Sequence, residues 1–170
     1  SGGAGALAPS QRTGIITLLH KGDGKPTDEL SSFRPITLLN CDYKILARVL
    51  VHRLTPLANS VVDSTQTAFL PGRWIGDNIL SHLEEIDYCK QEGQSGCILF
   101  LDFSQAYDRL SRQWLDQCMT RMGFPMVAMQ WVDLLLKGTQ VQAKYHGYCT
   151  PLMQVPTGLA QGSPLSPLLW

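Results

Sequence analysis

Two short apolar runs, Gly14-Ile15-Ile16-Thr17-Leu18-Leu19 and Phe33-Arg34-Pro35-Ile36-Thr37-Leu38-Leu39, flank a polar turn from His20 to Pro26. Runs of this length bounded by glycine and proline predict strands, and the turn between them allows a hairpin. Arg34 precedes a proline, which places it in extended backbone. Asn40 is a good helix N-cap, with Asp42 in the first turn. Leu39, Tyr43, Leu46, Leu50 and Leu54 then recur at helical spacing as a buried stripe, and Thr55-Pro56 is expected to end that helix.

Val61 to Asn78 is loop-rich, and Pro71-Gly72 turns the chain beside Arg73 and Trp74. Asp77 or Asn78 caps a helix that carries Ile79, Leu83 and Ile86 inward and Glu84, Glu85 and Asp87 outward, stopped by Gly93. The run Cys97-Ile98-Leu99-Phe100-Leu101, just before Asp102 and Phe103, reads as a strand buried on both faces. Ser111 caps a helix with Trp114, Leu115, Cys118, Met119 and Met122 inward, closed by Gly123. Pro125 opens another, with Val127, Trp131, Leu134 and Leu135 inward, closed by Gly138. Alternation from Gln140 to Tyr145 and the turn at His146-Gly147 predict a second hairpin. A Gly-rich loop from Pro156 to Pro167 leads into a last apolar helix, opened by a proline.

Composition narrows the class. The chain has 170 residues, 44% hydrophobic and 16% charged, which fits one globular domain or pieces of two, neither disordered nor membrane-embedded. No stretch approaches the length of a membrane span. Five dispersed cysteines with no CxxC pair point to neither a disulfide framework nor a zinc site, and a reducing intracellular compartment is expected. The start, SGGAGALAPSQ, carries no initiator Met and no signal-peptide pattern, and reads as a flexible leader over residues 1–13 or a cut through something longer. Lys and Arg balance Asp and Glu at 14 each, so net charge makes no general case for a polyanion. Its distribution is uneven: residues 1–60 hold seven bases against four acids, and residues 61–110 hold three against eight.

That acidic centre contains Asp102. A carboxylate at the end of a buried strand is costly unless hydrogen-bonded, paired or bound to a metal, so Asp102 either caps the next helix or holds a cation. The GDG turn with Lys21 and Lys25 has the makings of a phosphate cradle or an ordinary hairpin turn. Lys44, Arg48 and His52 recur every four residues as a basic stripe, suited to a nucleic-acid backbone or simply to water. Arg73 beside Trp74 fits base stacking and phosphate contact, or turn decoration.

Taken together, LLHKGDG followed by FRPITLLNCDYKILARVLVHRL, QTAFLPGRWIGDNIL, LDFSQAYD and TGLAQGSPLSPLLW resembles the reverse transcriptases of non-LTR (LINE-type) retrotransposons. The likeness runs from about Gly14 to Trp170. It implies an α+β right-hand polymerase, with a fingers-like subdomain over residues 14–95 and a partial palm-like subdomain over 96–170. It also implies RNA-templated DNA synthesis by two-metal nucleotidyl transfer, with an RNA template, a DNA primer, dNTPs and Mg²⁺ or Mn²⁺. On this resemblance Asp102 is the catalytic, metal-binding aspartate, and the backbone carbonyl of Phe103 is a further ligand. Tyr107 stacks under the incoming sugar, Lys21 and Arg34 grip the triphosphate, and Gln161 and Gly162 lie over the nucleotide. Arg73 contacts the template strand.

Asp108, one residue past Tyr107, is expected to pair locally or cap a helix. The family's third palm motif, two adjacent aspartates on a hairpin, has no counterpart in this sequence. One carboxylate is too few to hold two divalent ions against their hydration, so these residues alone are expected not to polymerise. The alternative reading is a non-catalytic nucleic-acid-binding remnant. Exposed apolar surface is expected around Leu165 to Trp170, with association as its consequence.

Overall fold

Strand β1 (Thr13–His20) and strand β2 (Phe33–Leu38) form the expected antiparallel hairpin, with Leu19 opposite Arg34 and His20 opposite Phe33. The computed structural model describes residues 5–22 and 24–170, so Asp23 of the turn and the first four residues of the leader lie outside the described residues. The rest of the leader is ordered against the fold. Leu7 is buried in the core, and Pro9 opens a one-turn helix, α1 (Pro9–Arg12), tied to the body by Gln11 Nε2 donating to Asp42 Oδ2 at 2.8 Å.

The sequence reading missed two strand pairings. β1 lies parallel to β3 (Gln140–Tyr145), with Gly14 opposite Val141, although more than a hundred residues separate them. β3 turns back through β4 (Tyr148–Cys149) in the expected hairpin, and β5 (Met153–Gln154) also pairs with it. The result is a mixed sheet in the order β2-β1-β3-β4, with β5 beside β3.

Helices pack beside this sheet. Helix α2 (Cys41–Val61) starts at Asn40, whose side chain accepts from the Cys41 N–H. It buries Tyr43, Ala47, Leu50, Leu54 and Ala58, while Leu46, expected inward, is exposed. Pro56 does not end it. Proline removes one backbone donor, and the carbonyl left without it belongs to His52, on the exposed face where water can replace the bond. Helices α5 (Arg112–Arg121) and α6 (Met126–Leu136) complete the core with Leu115, Met119, Val132, Leu135 and Leu136. Ser111 caps α5 as expected, its Oγ accepting from Trp114 N–H at 3.3 Å.

Helix phase is where the reading fails. In α5, Trp114 and Met122 face water instead of the core. In α6, Val127 and Trp131, expected inward, are 64% and 43% exposed, while Leu135 is buried as expected at 1%. That helix is apolar almost all round, so periodicity could not choose its inner side, and packing rotates it by about one residue.

The largest departure is in the middle of the chain. Residues 94–103 are not a strand, and Leu99, Phe100 and Leu101 are 78%, 83% and 80% exposed. A doubly buried strand needs a ladder partner and a covering layer on each face, and among the described residues no strand pairs with this run. Helix α3 (Gly76–Gln91) beside it buries only Gly76, leaving Ile79, Leu80 and Leu83 at least half exposed, contrary to the expected inward stripe. At the end of the chain the expected exposure is met by Trp170, which is 44% exposed, but not by Leu165 or Leu169. Leu165 and Leu169 sit in the core next to the one-turn helix α7 (Ser166–Leu169). No helix among the described residues is long and apolar enough to cross a membrane.

The phase of α6 is directly testable. Leu135→Ala is expected to destabilise the fold by about 2–5 kcal/mol, whereas Val127→Ala changes stability by no more than about 0.5 kcal/mol. Urea unfolding midpoints of the two variants check this, and equal losses would reverse the assignment.

Candidate active site

The loop that follows β5 binds two distant segments together. Thr37 N–H of β2 donates to the Gln161 carbonyl at 2.7 Å, and Leu159 N–H donates to the Tyr107 carbonyl at 2.8 Å. Gly158 N–H donates to the Leu110 carbonyl at 2.8 Å. Tyr107 belongs to a one-turn helix, α4 (Ala106–Arg109), so the loop spans from α4 to β2. Both approaches require glycine. A Cβ on Gly162 would lie 2.4 Å from the Thr37 carbonyl oxygen, and one on Gly158 would lie 2.7 Å from that of Asp108. Each has positive φ, 124° and 77°, which side chains disfavour as well. Three separate sequence motifs, FRPITL, AYD and TGLAQG, are thereby brought into one place.

Around this seam, Asp108 accepts from Gln161 Nε2 at 3.4 Å, and partial burial pushes its carboxyl above the usual range. The partner lies 53 positions along the chain, so this is a tertiary contact and not the local pairing or helix cap expected of Asp108. Tyr43 of α2 is buried under the loop with its hydroxyl 3.5 Å from Ser163 Oγ, and burial raises its pKa.

The remaining candidates fall on other surfaces. Lys21 N–H continues the hairpin ladder to the Ser32 carbonyl at 2.8 Å, which by alternation sets Lys21 and Arg34 on the same face of the hairpin. Lys21 Nζ donates to the Ser31 carbonyl at 2.7 Å, while the Arg34 side chain is exposed and makes no hydrogen bond among the described residues. Lys44 is half-buried on α2, and Arg48 and His52 are exposed there together with Arg53. Arg73 organises its own loop. Its guanidinium donates to the carbonyls of Val62 at 2.8 Å, Gln66 at 2.6 Å and Asp63. Asp63 in turn accepts twice from Thr65, which holds its carboxyl below the usual range.

Asp102 lies exposed at the end of the 94–103 segment, with no hydrogen bond or ion pair among the described residues. Phe103 and Tyr107 converge on Trp170, at ring-centroid distances of 5.6 Å and 6.1 Å. No group of three or more His, Cys, Asp or Glu side chains able to hold a metal occurs among the described residues. One carboxylate and one carbonyl do not make a two-metal site, so this donor set does not fit the ions the family implies.

The sequence reading overlooked two residues. Trp170 is the aromatic on which Phe103 and Tyr107 meet, and nothing in its spacing marks it. Arg112 does carry a signal, because a cation in the first turn of a helix is opposed by the helix dipole and needs compensation. It has that compensation in three acceptors: the Gly158 carbonyl at 3.2 Å, the Leu136 carbonyl at 2.5 Å and Thr139 Oγ1 at 2.9 Å. Arg112 thus fixes the same loop from behind.

Substitution at the glycines separates contact from conformation. Gly72, at φ 80° with open space around it, should lose about 1–2 kcal/mol as Gly72→Ala. Gly162→Ala adds backbone overlap and should lose about 3 kcal/mol or more, read from urea midpoints at constant m-value.

A family model described as Reverse transcriptase (RNA-dependent DNA polymerase) matches residues 19–170. The Transposon TX1 uncharacterized 149 kDa protein of Xenopus laevis is 29% identical over 167 residues, covering 98% of this chain and 12% of that protein. The probable RNA-directed DNA polymerase from transposon X-element of Drosophila melanogaster is 29% identical over 168 residues, covering 94% of this chain and 18% of that protein. The RNA-directed DNA polymerase from mobile element jockey of the same species is 24% identical over 168 residues, covering 98% and 18%. The chain therefore spans between 12% and 18% of the length of these curated relatives. With the motifs, the seam that joins them and a family match over most of its length in agreement, the chain belongs to the reverse transcriptase (RNA-dependent DNA polymerase) family, alongside the polymerases of non-LTR retrotransposons.

Proposed function

We propose that this chain is the nucleotide- and template-gripping part of a retrotransposon reverse transcriptase, comprising fingers over residues 14–95 and the first half of the palm over 96–170. The observation that carries the reading is the seam between Thr37, Tyr107 and Gln161, which gathers three family motifs into one site. On this reading Arg34 and Lys21 hold the triphosphate from one face of the hairpin, the Arg through paired N–H donors and the Lys as a point charge. Tyr107 lies against the sugar, and Gln161 and Gly162 form a flat backbone platform over the nucleotide, a role that suits a glycine pressed against β2. Phe103 adds an apolar wall beside Asp102. In the whole protein the substrates are an RNA template, a primer and dNTPs, and divalent ions supply the charge neutralisation that phosphoryl transfer needs. Asp102 supplies one carboxylate to that chemistry, and among the described residues no group of three or more potential metal ligands completes a cluster.

The proposal predicts no templated primer extension by the purified 170-residue chain with either Mg²⁺ or Mn²⁺. Extension above a no-protein control would overturn the half-site reading.

A second reading, non-catalytic nucleic-acid binding, is favoured by the exposed Arg48, His52 and Arg53 on α2 together with Lys44. Arg48→Glu should weaken RNA binding across unrelated sequences and lower the slope of log K against log salt by about 1. Affinity that ignores both salt and this substitution would remove α2 as a nucleic-acid surface.

A further inference from the structure

A cleft of about 230 Å³ lies between β1, β2, β3, the end of α6 and the loop from Thr157 to Gln161, with Tyr43 and Asp108 also in its wall. Most of its wall is apolar, including Ile16, Leu39, Val141, Val155 and Leu159. Two arginines also reach it. The Arg12 guanidinium lies over Gly138, so close that a Cβ there would sit 2.9 Å from Arg12 Nη1. Arg112 Nη2 donates to the hydroxyl of the next residue, Thr139, at 2.9 Å. The two cations are therefore set on adjacent residues of one edge.

Neither makes an ion pair among the described residues. The ion pairs among the described residues, His82 with Glu85 and Lys90 with Asp87, are both on α3. Arg12 Nε is buried without a hydrogen-bond partner among the described residues. Arg112 commits three of its five N–H donors to neutral oxygens and leaves two free. The acids nearby are engaged or apart: Asp42 accepts from Gln11, Asp108 accepts from Gln161, and Asp133 acts on Arg112 only beyond ion-pair distance. Burial disfavours the charged form of Arg112. Two neighbouring guanidiniums beside an apolar cavity, unpaired, make a strong demand for a shared anion.

We propose that this cleft binds a small oxyanion, a phosphate or carboxylate group carried on a compact apolar body, held between Arg12 and Arg112. The charged head bridges the two guanidiniums at Gly138-Thr139, and the apolar body fills the space lined by Ile16, Val141 and Leu159. The volume suits a ligand of roughly the size of a substituted benzene and is below that of the usual drug-sized pocket. The cleft does not include Asp102 but shares Thr37, Asp108 and Gln161 with the seam, while the two cations that carry the proposal, Arg12 and Arg112, take no part in the polymerase reading.

The test is calorimetric titration of the 170-residue chain at fixed ionic strength with phenyl phosphate, benzoate and neutral benzamide. Saturable binding of one or both anions, with no binding of benzamide, is expected, and the tighter anion identifies the head group. Arg12→Met keeps the apolar stem and should weaken that binding by at least about tenfold while leaving the circular dichroism spectrum unchanged. In the unsubstituted chain, the Nε–H resonances of Arg12 and Arg112 should shift together along one saturation curve. The proposal fails if neither anion saturates below about 10 mM, if benzamide binds as well, or if Arg12→Met binds unchanged. Arginine resonances that do not move on titration, as a water-filled cleft would give, overturn it too.

Discussion

The arrangement rests on one close approach of backbone to backbone, Gly162 against the carbonyl of Thr37. The hydrogen bond beside it, from the Thr37 N–H to the Gln161 carbonyl, contributes only about 1 kcal/mol to stability. Its importance is positional. It carries the loop of Gln161 onto β2, while Gly158 and Leu159 fix the same loop to α4 and Arg112, at the start of α5, ties it to the end of α6. Tyr43 and Ser163 fill the space beneath. Without glycine at these two contacts, the hairpin and α4 would have no common surface, and the core of α2, α5 and α6 would lack its lid of Leu159, Leu165 and Leu169.

What was legible in the sequence was mostly local. The β1–β2 hairpin, the caps at Asn40 and Ser111 and the second hairpin at His146-Gly147 depend on neighbours within a few residues, and each formed as read. The parallel pairing of β1 with β3 joins Gly14 to Val141, and no short-range pattern encodes so distant a partner. Pro56 inside α2 shows a local rule outweighed by packing on both sides of it. In α6, apolar residues on every side left Val127 and Val132 equivalent on paper, and only the core distinguished them. The run 97–103 is the converse case. Its composition is that of a buried strand, but burial is a property of partners, and among the described residues no strand pairs with it.

The site was legible through motifs more than through chemistry. Nothing in the spacing of Thr37, Tyr107 and Gln161 foretells contact, since each lies dozens of residues from the next. The resemblance grouped them, and the hydrogen bonds of the loop supply a physical link. Arg112 and Trp170 escaped notice because both work through tertiary neighbours. Arg73 illustrates the opposite hazard: an arginine beside a tryptophan in a Pro-Gly turn invites a nucleic-acid role, yet three carbonyls of its own loop occupy its guanidinium.

Between Gly158, held on α4, and Gly162, held on β2, only Leu159, Ala160 and Gln161 intervene. Chain anchored at both ends over so short a span has no slack. Loops usually tolerate insertion because their ends are far from anything that fixes their path. This one behaves as a strap of set length: one residue more would lift Gln161 from Thr37 or Leu159 from Tyr107, and one fewer could not reach. The two anchors thus set the number of residues between them, whatever side chains those residues carry.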